Sequence, residues 1–239
     1  MHVLAMSDLH GQLPKVEESF DLLLICGDVC PIHDQYYAFQ KEWVLNDFVD
    51  WVNALPFHDE YSKVVMVGGN HDFVFERYGN KEKDLLKSKT NGRCIFLKNN
   101  EYDFEWVDDN GINSIKIFGT SYCKIFGNWA FMMSHEKLKA RYDLCPDNAD
   151  IFISHDSPDL NGLGTVHYNK VDDNVYGQNV GNKVLAEIIK VKKPKYFFSG
   201  HIHTGNHNFE EFNGMRMANV SLLNEQYLRT YYILSIEYN

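Results

Sequence analysis

The residues of this chain that could do chemistry fall at the ends of apolar runs. Asp8 and His10 follow Val3-Leu4-Ala5-Met6. Asp28 follows Leu22-Leu23-Leu24-Ile25-Cys26 and a glycine. Asn70 and His71 follow Val64-Val65-Met66-Val67 and a glycine pair, and Asp72 comes next. His155 follows Ile151-Phe152-Ile153-Ser154, and His201 and His203 follow Tyr196-Phe197-Phe198-Ser199 and Gly200. A carboxylate has two acceptor oxygens and can bridge two cations. An imidazole offers one nitrogen, and an Asn oxygen is a neutral ligand that serves where neighbours supply the negative charge. Asp8 and His10 are two apart, as are His201 and His203, so an extended backbone points each pair to one side. Singly, each residue reads as an ordinary turn or cap residue. Jointly, five apolar runs deliver nitrogen or oxygen ligands to their ends, and in an open α/β sheet that edge is where ligands bind. With no thiolate in the set, the chemistry suits manganese, iron, zinc, cobalt or nickel rather than a structural zinc.

The apolar runs are short and bounded by glycine or polar residues, which predicts buried strands opening into loops. Between them, residues 35–55 carry Tyr36, Phe39, Trp43, Val44, Phe48, Trp51 and Val52 at helical spacing, which predicts a helix packed on a sheet. Residues 82–89, 134–142 and 180–191 also read as helices. Residues 101–107 and 113–119 read as a hairpin across Asp108-Asp109-Asn110-Gly111, and further strands are expected at 93–97, 214–220 and 230–236. Residues 159–179, with Tyr168 and Tyr176, read as a long loop beside the site. The whole, 1–239, is expected to form one domain.

The bulk numbers narrow the partners. The formal net charge of -10 over 239 residues repels polyanions at long range, so extended duplex DNA or RNA is not an expected partner. A small phosphorylated substrate is compatible, because bound cations reverse the sign locally. The five cysteines are odd in number and form no CxxC, so no disulfide framework is expected, in keeping with a reducing cytosol. No apolar run approaches the roughly 18 residues that span a membrane. A cytoplasmic protein with no membrane partner is the expectation.

In their order, Asp8-x-His10, Gly27-Asp28, Gly69-Asn70-His71-Asp72, His155 and Gly200-His201-x-His203 resemble the motif set of the calcineurin-like metallophosphoesterase superfamily. Cys94-Ile95-Phe96-Leu97, residues 117–121 and residues 200–205 further resemble its small class III phosphodiesterase-like, metallophosphoesterase-domain-containing branch. The resemblance implies a four-layer α/β/β/α sandwich with two mixed sheets and a binuclear site at the C-terminal ends of strands. It implies that Asp8, His10 and His203 hold one divalent cation, that Asn70, His155 and His201 hold the other, and that Asp28 bridges them, manganese being the first choice of metal. His71 would face the phosphate as the catalytic residue, stabilising charge or protonating the leaving oxygen, and Asp72 would be structural or would orient a ligand histidine. Two cations about 4 Å apart bring a shared water toward ionisation at neutral pH, and the hydroxide attacks phosphorus in line.

Relatives that cleave phosphoprotein monoesters resemble Gly-Asp-x-x-Asp-Arg-Gly. Here Val29-Cys30-Pro31 follows Gly27-Asp28, and the arginine that would grip a dianion is missing. A diester carries one charge fewer, so the expected activity is hydrolysis of a phosphodiester, with a small nucleotide or cyclic nucleotide as substrate. A phosphomonoesterase or nuclease on the same site, and a non-catalytic metal-binding scaffold, are the alternatives. Arg77 is the candidate replacement for the missing arginine, and His167 and His207 are candidate substrate contacts.

Overall fold

The structure is a computed structural model that describes residues 1–108, 111–167 and 176–238. Asp109, Asn110 and Tyr168, and with it most of the middle of the expected loop 159–179, lie outside the described residues. The first half of the chain builds β1 (His2–Met6), β2 (Leu22–Cys26), α1 (Tyr37–Trp43), a π-helical turn (Val44–Phe48), α2 (Val49–Asn53), β3 (Lys63–Val67), α3 (Phe73–Glu76), α4 (Asn80–Lys89) and β4 (Cys94–Phe96). The second builds β5 (Asn99–Asp108), β6 (Gly111–Thr120), β7 (Cys123–Lys124), β8 (Met132–Met133), α5 (His135–Tyr142), β9 (Ile151–Ser154), α6 (Lys183–Lys192), β10 (Tyr196–Ser199), β11 (Glu210–Phe212), β12 (Met215–Asn219) and β13 (Leu234–Glu237).

Two mixed sheets result. One has the order β13-β1-β2-β3-β4 and the other β11-β12-β10-β9-β6-β5, with β7 and β8 pairing apart. Strands β1 to β4 run parallel, as do β6, β9, β10 and β12, while β13, β5 and β11 close their edges antiparallel. Parallel central strands put their carboxyl ends on one rim, which is the condition for five runs to deliver ligands to one place.

Side-chain alternation separates the layers. Val3, Ala5, Leu24, Val65 and Val67 share a core with Ile117, Ile151, Ile153, Phe198 and Ala218 between the sheets. Their sequence neighbours Leu4, Met6, Leu23, Met66, Phe118, Phe152 and Phe197 join the core beneath the helices, with Val44, Phe48, Leu138, Tyr142, Leu185 and Ile189. Each such side chain, fully buried, contributes about 1.5–3 kcal/mol. The layers are therefore helix, sheet, sheet, helix, as expected.

Local departures from expectation have local causes. The helix over 35–55 is interrupted by the π-helical turn at Val44–Phe48. α6 starts at Lys183 rather than near 180, because Asn182 caps it: its side-chain oxygen accepts from Leu185 N at 3.2 Å. Residue 180 is instead drawn into a loop, where Val180 N donates to Gly164 O at 2.8 Å. The last strand starts at Leu234, after a bridge between Leu223 and Arg229. The Asn213-Gly214 hairpin has φ of 51° and 84° at its centre, the left-handed pair that such a two-residue turn needs. All five cysteines are buried and free. No helix among the described residues is long and apolar enough to cross a membrane.

Candidate metal centre

Three loops meet at the rim through main-chain bonds. Asp8 N donates to Gly27 O at 3.0 Å, His10 N to Asp28 O at 2.9 Å and Gly11 N to Val29 O at 2.9 Å, so the loops after β1 and β2 run in register. Asp72 ties the loop after β3 to them. Its carboxylate accepts from Val29 N at 3.0 Å, Cys30 N at 2.8 Å and Gly69 N at 2.8 Å. Of the two roles expected for Asp72 the structural one holds: its carboxylate fixes loop backbones rather than a ligand histidine.

Close approach is enforced at two glycines. A Cβ on Gly69 would land on the Asp28 carboxylate, and one on Gly200 would land on Ser7 Oγ and the Asp8 carboxylate. Four non-glycine site residues take left-handed backbone, Asp8 at φ 57°, His10 at 45°, Asp28 at 51° and His201 at 70°. Such conformations cost on the order of 1–3 kcal/mol each and persist where the surroundings over-determine them.

The side chains converge as two linked groups. His203 Nε2 lies 3.2 Å from Asp8 Oδ1 and 3.3 Å from His10 Nε2, and His10 Nε2 lies 3.9 Å from Asp8 Oδ1. His155 Nε2 lies 2.9 Å from Asn70 Oδ1 and 3.4 Å from Asp28 Oδ2. Asp28 stands between the groups, with Oδ2 also 3.7 Å from His10 Nε2 and 4.0 Å from His71 Nε2. The His201 ring lies 5.0 Å from that of His155, and its backbone N donates to the Asp8 carboxylate at 3.0 Å. All seven expected ligands and His71 are thus gathered at one rim.

These residues fit divalent cations. Asp8, His10 and His203 are close enough to share an ion, as are Asp8, Asp28 and His155, and His10, Asp28 and His71. Separations near 3.3 Å are those of neighbouring ligands on a cation with bonds of roughly 2.0–2.2 Å. The far nitrogens are held by the protein: His155 Nδ1 by Cys26 O at 2.9 Å and His203 Nδ1 by Asn224 O at 3.0 Å. This turns each Nε2 inward and fixes the tautomer. Ser221 Oγ donates to Asp8 Oδ2 at 2.7 Å.

Electrostatics follow from burying two carboxylates among imidazoles. Burial opposes the charge on Asp8 and Asp28, yet His203 and His155 hold both carboxyls well below the usual range. Reciprocally, against its burial, His155 is raised to about 10 by Asp28, and His203 to about 9 by Asp8. Burial lowers His10 to about 4, and burial with the neighbouring His155 lowers His201 to about 3. Burial and the nearby Asp28 raise Asp72 to about 6. In the metal-free chain, protons on His155 and His203 do the work that cations would do.

The three candidate substrate contacts divide. Arg77 is exposed, with its guanidinium 4.9 Å over the Tyr37 ring, and the structure does not bring it to the carboxylates. His167 and His207 line an open cleft of about 850 Å³ with Thr204, Asn224 and Tyr231. His207 Nε2 bonds His203 O at 2.9 Å, and its ring stacks on Tyr231 at 3.5 Å.

Sequence reasoning missed the groups around the cluster. Trp129 packs on His71 at 4.6 Å between centroids, Phe126 on His201 at 4.9 Å, and Tyr227 on His10 at 4.9 Å. Gln35 bonds the His71 ring, and Gln40 bonds its backbone. Ser221 had one legible signal, its place just past the end of a parallel strand. The glutamines had none.

Residues 1–205 match the calcineurin-like phosphoesterase family. The chain is 27% identical over 206 residues to the UPF0046 protein T07D4.2 of Caenorhabditis elegans, covering 77% of this chain and 46% of that protein. It is 24% identical over 225 residues to the human metallophosphoesterase domain-containing protein 1, covering 84% of this chain and 60% of that one. It therefore spans about half to three fifths of these relatives. Among solved structures, the phosphopantetheinyl hydrolase of Mycobacterium tuberculosis superposes with a TM-score of 0.54 at 16% identity, covering 94% of this chain and 90% of that one. The protein TT1561 of Thermus thermophilus does so at 0.53 and 15%, covering 91% and 88%. The rim of candidate ligands thus lies within the matched residues, and the chain belongs to the calcineurin-like phosphoesterase family.

Proposed function

We propose that this chain is a metal-dependent phosphodiesterase acting on a small ester, a nucleotide or cyclic nucleotide. The observation that carries the reading is the position of Asp28. One of its oxygens is within 3.4 to 4.0 Å of His155, His10 and His71, while the other accepts from His71 N at 2.7 Å. A buried carboxylate so placed is suited to be shared between two ligand groups.

Asp8, His10 and His203 would hold one divalent cation, and Asn70, His155 and His201 the other, with Asp28 common to both and manganese the first candidate. When bound, the cations supply positive charge against phosphoryl oxygens and make a water acidic enough to act as nucleophile. The chain's own contribution is arrangement. Asp8 and Asp28 stay ionised, His155 and His203 keep their Nε2 atoms inward, and the loops pre-set the geometry before substrate arrives. His71, beside Asp28 and in neither of these two proposed ligand sets, would face the phosphate. Trp129, Phe126 and Tyr227 border the site with aromatic surface suited to the organic part of an ester.

The preference for a diester rests on charge. Val29-Cys30-Pro31 replaces the arginine-bearing segment of the monoester-cleaving relatives, and Arg77 lies on Tyr37 instead. Comparing bis(p-nitrophenyl) phosphate with p-nitrophenyl phosphate tests this. A higher kcat/KM for the diester is expected, and a clear preference for the monoester overturns it.

A further inference from the structure

Thr204 follows the expected ligand His203 and opens onto a second space beside the metal centre. It lines the open cleft of about 850 Å³, together with His207, Asn208, Asn224, Gln226 and Tyr231. Cleft and metal centre share a wall. His207 Nε2 bonds His203 O at 2.9 Å, and Asn224 O holds the His203 ring at 3.0 Å. Asn224 also closes the turn over residues 224–228, where its Oδ1 accepts from Gln226 N at 2.9 Å and from Leu228 N at 3.1 Å. That turn sets Tyr227 against the rings of His10 and His203, at 4.9 and 5.5 Å between centroids. Its neighbour Gln226 lines the cleft.

The cleft is polar without being ionic. Its described lining carries no carboxylate, ammonium or guanidinium. What it offers is hydrogen bonds and flat surface. Thr204 is 4% exposed, and its hydroxyl finds no partner among the described residues. Buried polar groups are otherwise paired, so this hydroxyl is free for a ligand. Asn208 and Gln226 are exposed, and each side-chain amide carries both donor and acceptor. His207 and Tyr231 stack at 3.5 Å with 21° between their planes, which adds aromatic surface beside the amides. A nucleobase uses both: a π-face that stacks, and an edge of donors and acceptors that amides and hydroxyls can read. A sugar has the hydrogen bonds but no π-face.

We propose that this cleft binds the nucleobase of a nucleotide ester whose phosphorus sits at the metal centre. The His207–Tyr231 pair stacks on the base, and Thr204 and Gln226 bond its edge. The inference rests on the reading of the substrate as a nucleotide, and it gives that substrate a direction, with the base on the His203 side of the centre.

Nucleosides test this without turnover, because they carry the base and no phosphate. ¹H–¹⁵N spectra of the full chain, loaded with diamagnetic Zn²⁺, would be followed on adding adenosine, guanosine, cytidine, uridine or ribose. At least one nucleoside is expected to shift the side-chain amide signals of Asn208, Asn224 and Gln226 saturably, and ribose to leave them in place. Gln226→Ala and Thr204→Val should each weaken that binding roughly two- to tenfold, the worth of one hydrogen bond. Gln226 is exposed, so its variant gives an answer even where valine is not tolerated at the buried Thr204. No shift from any nucleoside, or equal shifts from ribose, overturns the assignment, and so does unaltered affinity in Gln226→Ala. With a cyclic nucleotide as substrate, Gln226→Ala should raise KM by a similar factor and leave kcat little changed. Absence of turnover with every metal and ester would instead refute the phosphoesterase reading, and nucleoside binding would still decide what the cleft holds.

Discussion

The Nε2 atoms of His10 and His203 lie 3.3 Å apart, although 193 positions separate the two residues in the chain. Two inward-facing nitrogens repel unless a proton or cation lies between or beside them. Asp8 Oδ1, 3.2 Å from His203 Nε2, completes a triad that favours positive charge, and in the metal-free chain His203 meets that demand by staying protonated.

That substitution predicts a pH dependence. A histidine whose pKa is higher folded than unfolded stabilises the fold fully below its unfolded value, and stops doing so as pH rises through its folded value. His155 and His203 are raised from 6.5 to about 10 and about 9. Chelated protein should therefore lose stability as pH rises from about 6.5 toward 10. Metal-loaded protein should not, because cations displace those protons. Thermal unfolding of both forms across this range checks it, and a chelated protein whose Tm is flat to pH 10 contradicts it.

Asp28→Asn should weaken both cations at once. Replacing a shared carboxylate removes charge from each group, and a loss on the order of 10²-fold in affinity is expected, at the upper end of what even outer ligand partners contribute. Calorimetric titration with Mn²⁺ reads this. Loss of one cation with the other unaffected would show that Asp28 is not shared.

Asp72→Ala tests a residue that touches no expected ligand side chain. It strands the buried amides of Val29, Cys30 and Gly69, each unsatisfied donor costing about 1–3 kcal/mol. A fall in Tm of several degrees is expected, accompanied by weaker metal binding as the loops lose register. Weaker metal binding with no change in Tm would place Asp72 in the ligand set instead.

Gly69→Ala should spare the sheets but spoil the centre, since the new methyl falls on the Asp28 carboxylate. Near-native circular dichroism with weakened metal uptake is the expected pair of results. Unchanged uptake would mean that the loops can move apart at little cost.

The legible part of this protein is its periodic part. The unbroken apolar runs of β1, β2, β3, β9 and β10, bounded by glycine or serine, mark the strands and thereby place the candidate ligands at their ends. Asp8, His10, Asp28, Asn70, His155, His201 and His203 were readable because a strand end leaves little freedom about where the next residue lies. Asp72 was readable as structural but not in its partners, since carboxylate-to-amide bonds across 42 or 43 positions leave no pattern along the chain. Gln35, Trp129 and Tyr227 reach the site from loops, where three-dimensional proximity has no periodic signature. For Arg77, nearness in sequence to His71 did not reveal its neighbour: the short α3 sets its guanidinium over Tyr37.

The most direct test is reconstitution of the chelated protein. Mn²⁺, Zn²⁺, Ni²⁺, Co²⁺ or Mg²⁺ would be added separately, and hydrolysis followed for bis(p-nitrophenyl) phosphate, p-nitrophenyl phosphate, and 2′,3′- and 3′,5′-cyclic nucleotides. The expected result is two cations bound per chain and metal-dependent cleavage of diesters ahead of the monoester. Two cations bound without turnover of any ester would contradict the catalytic account and leave a metal-binding scaffold.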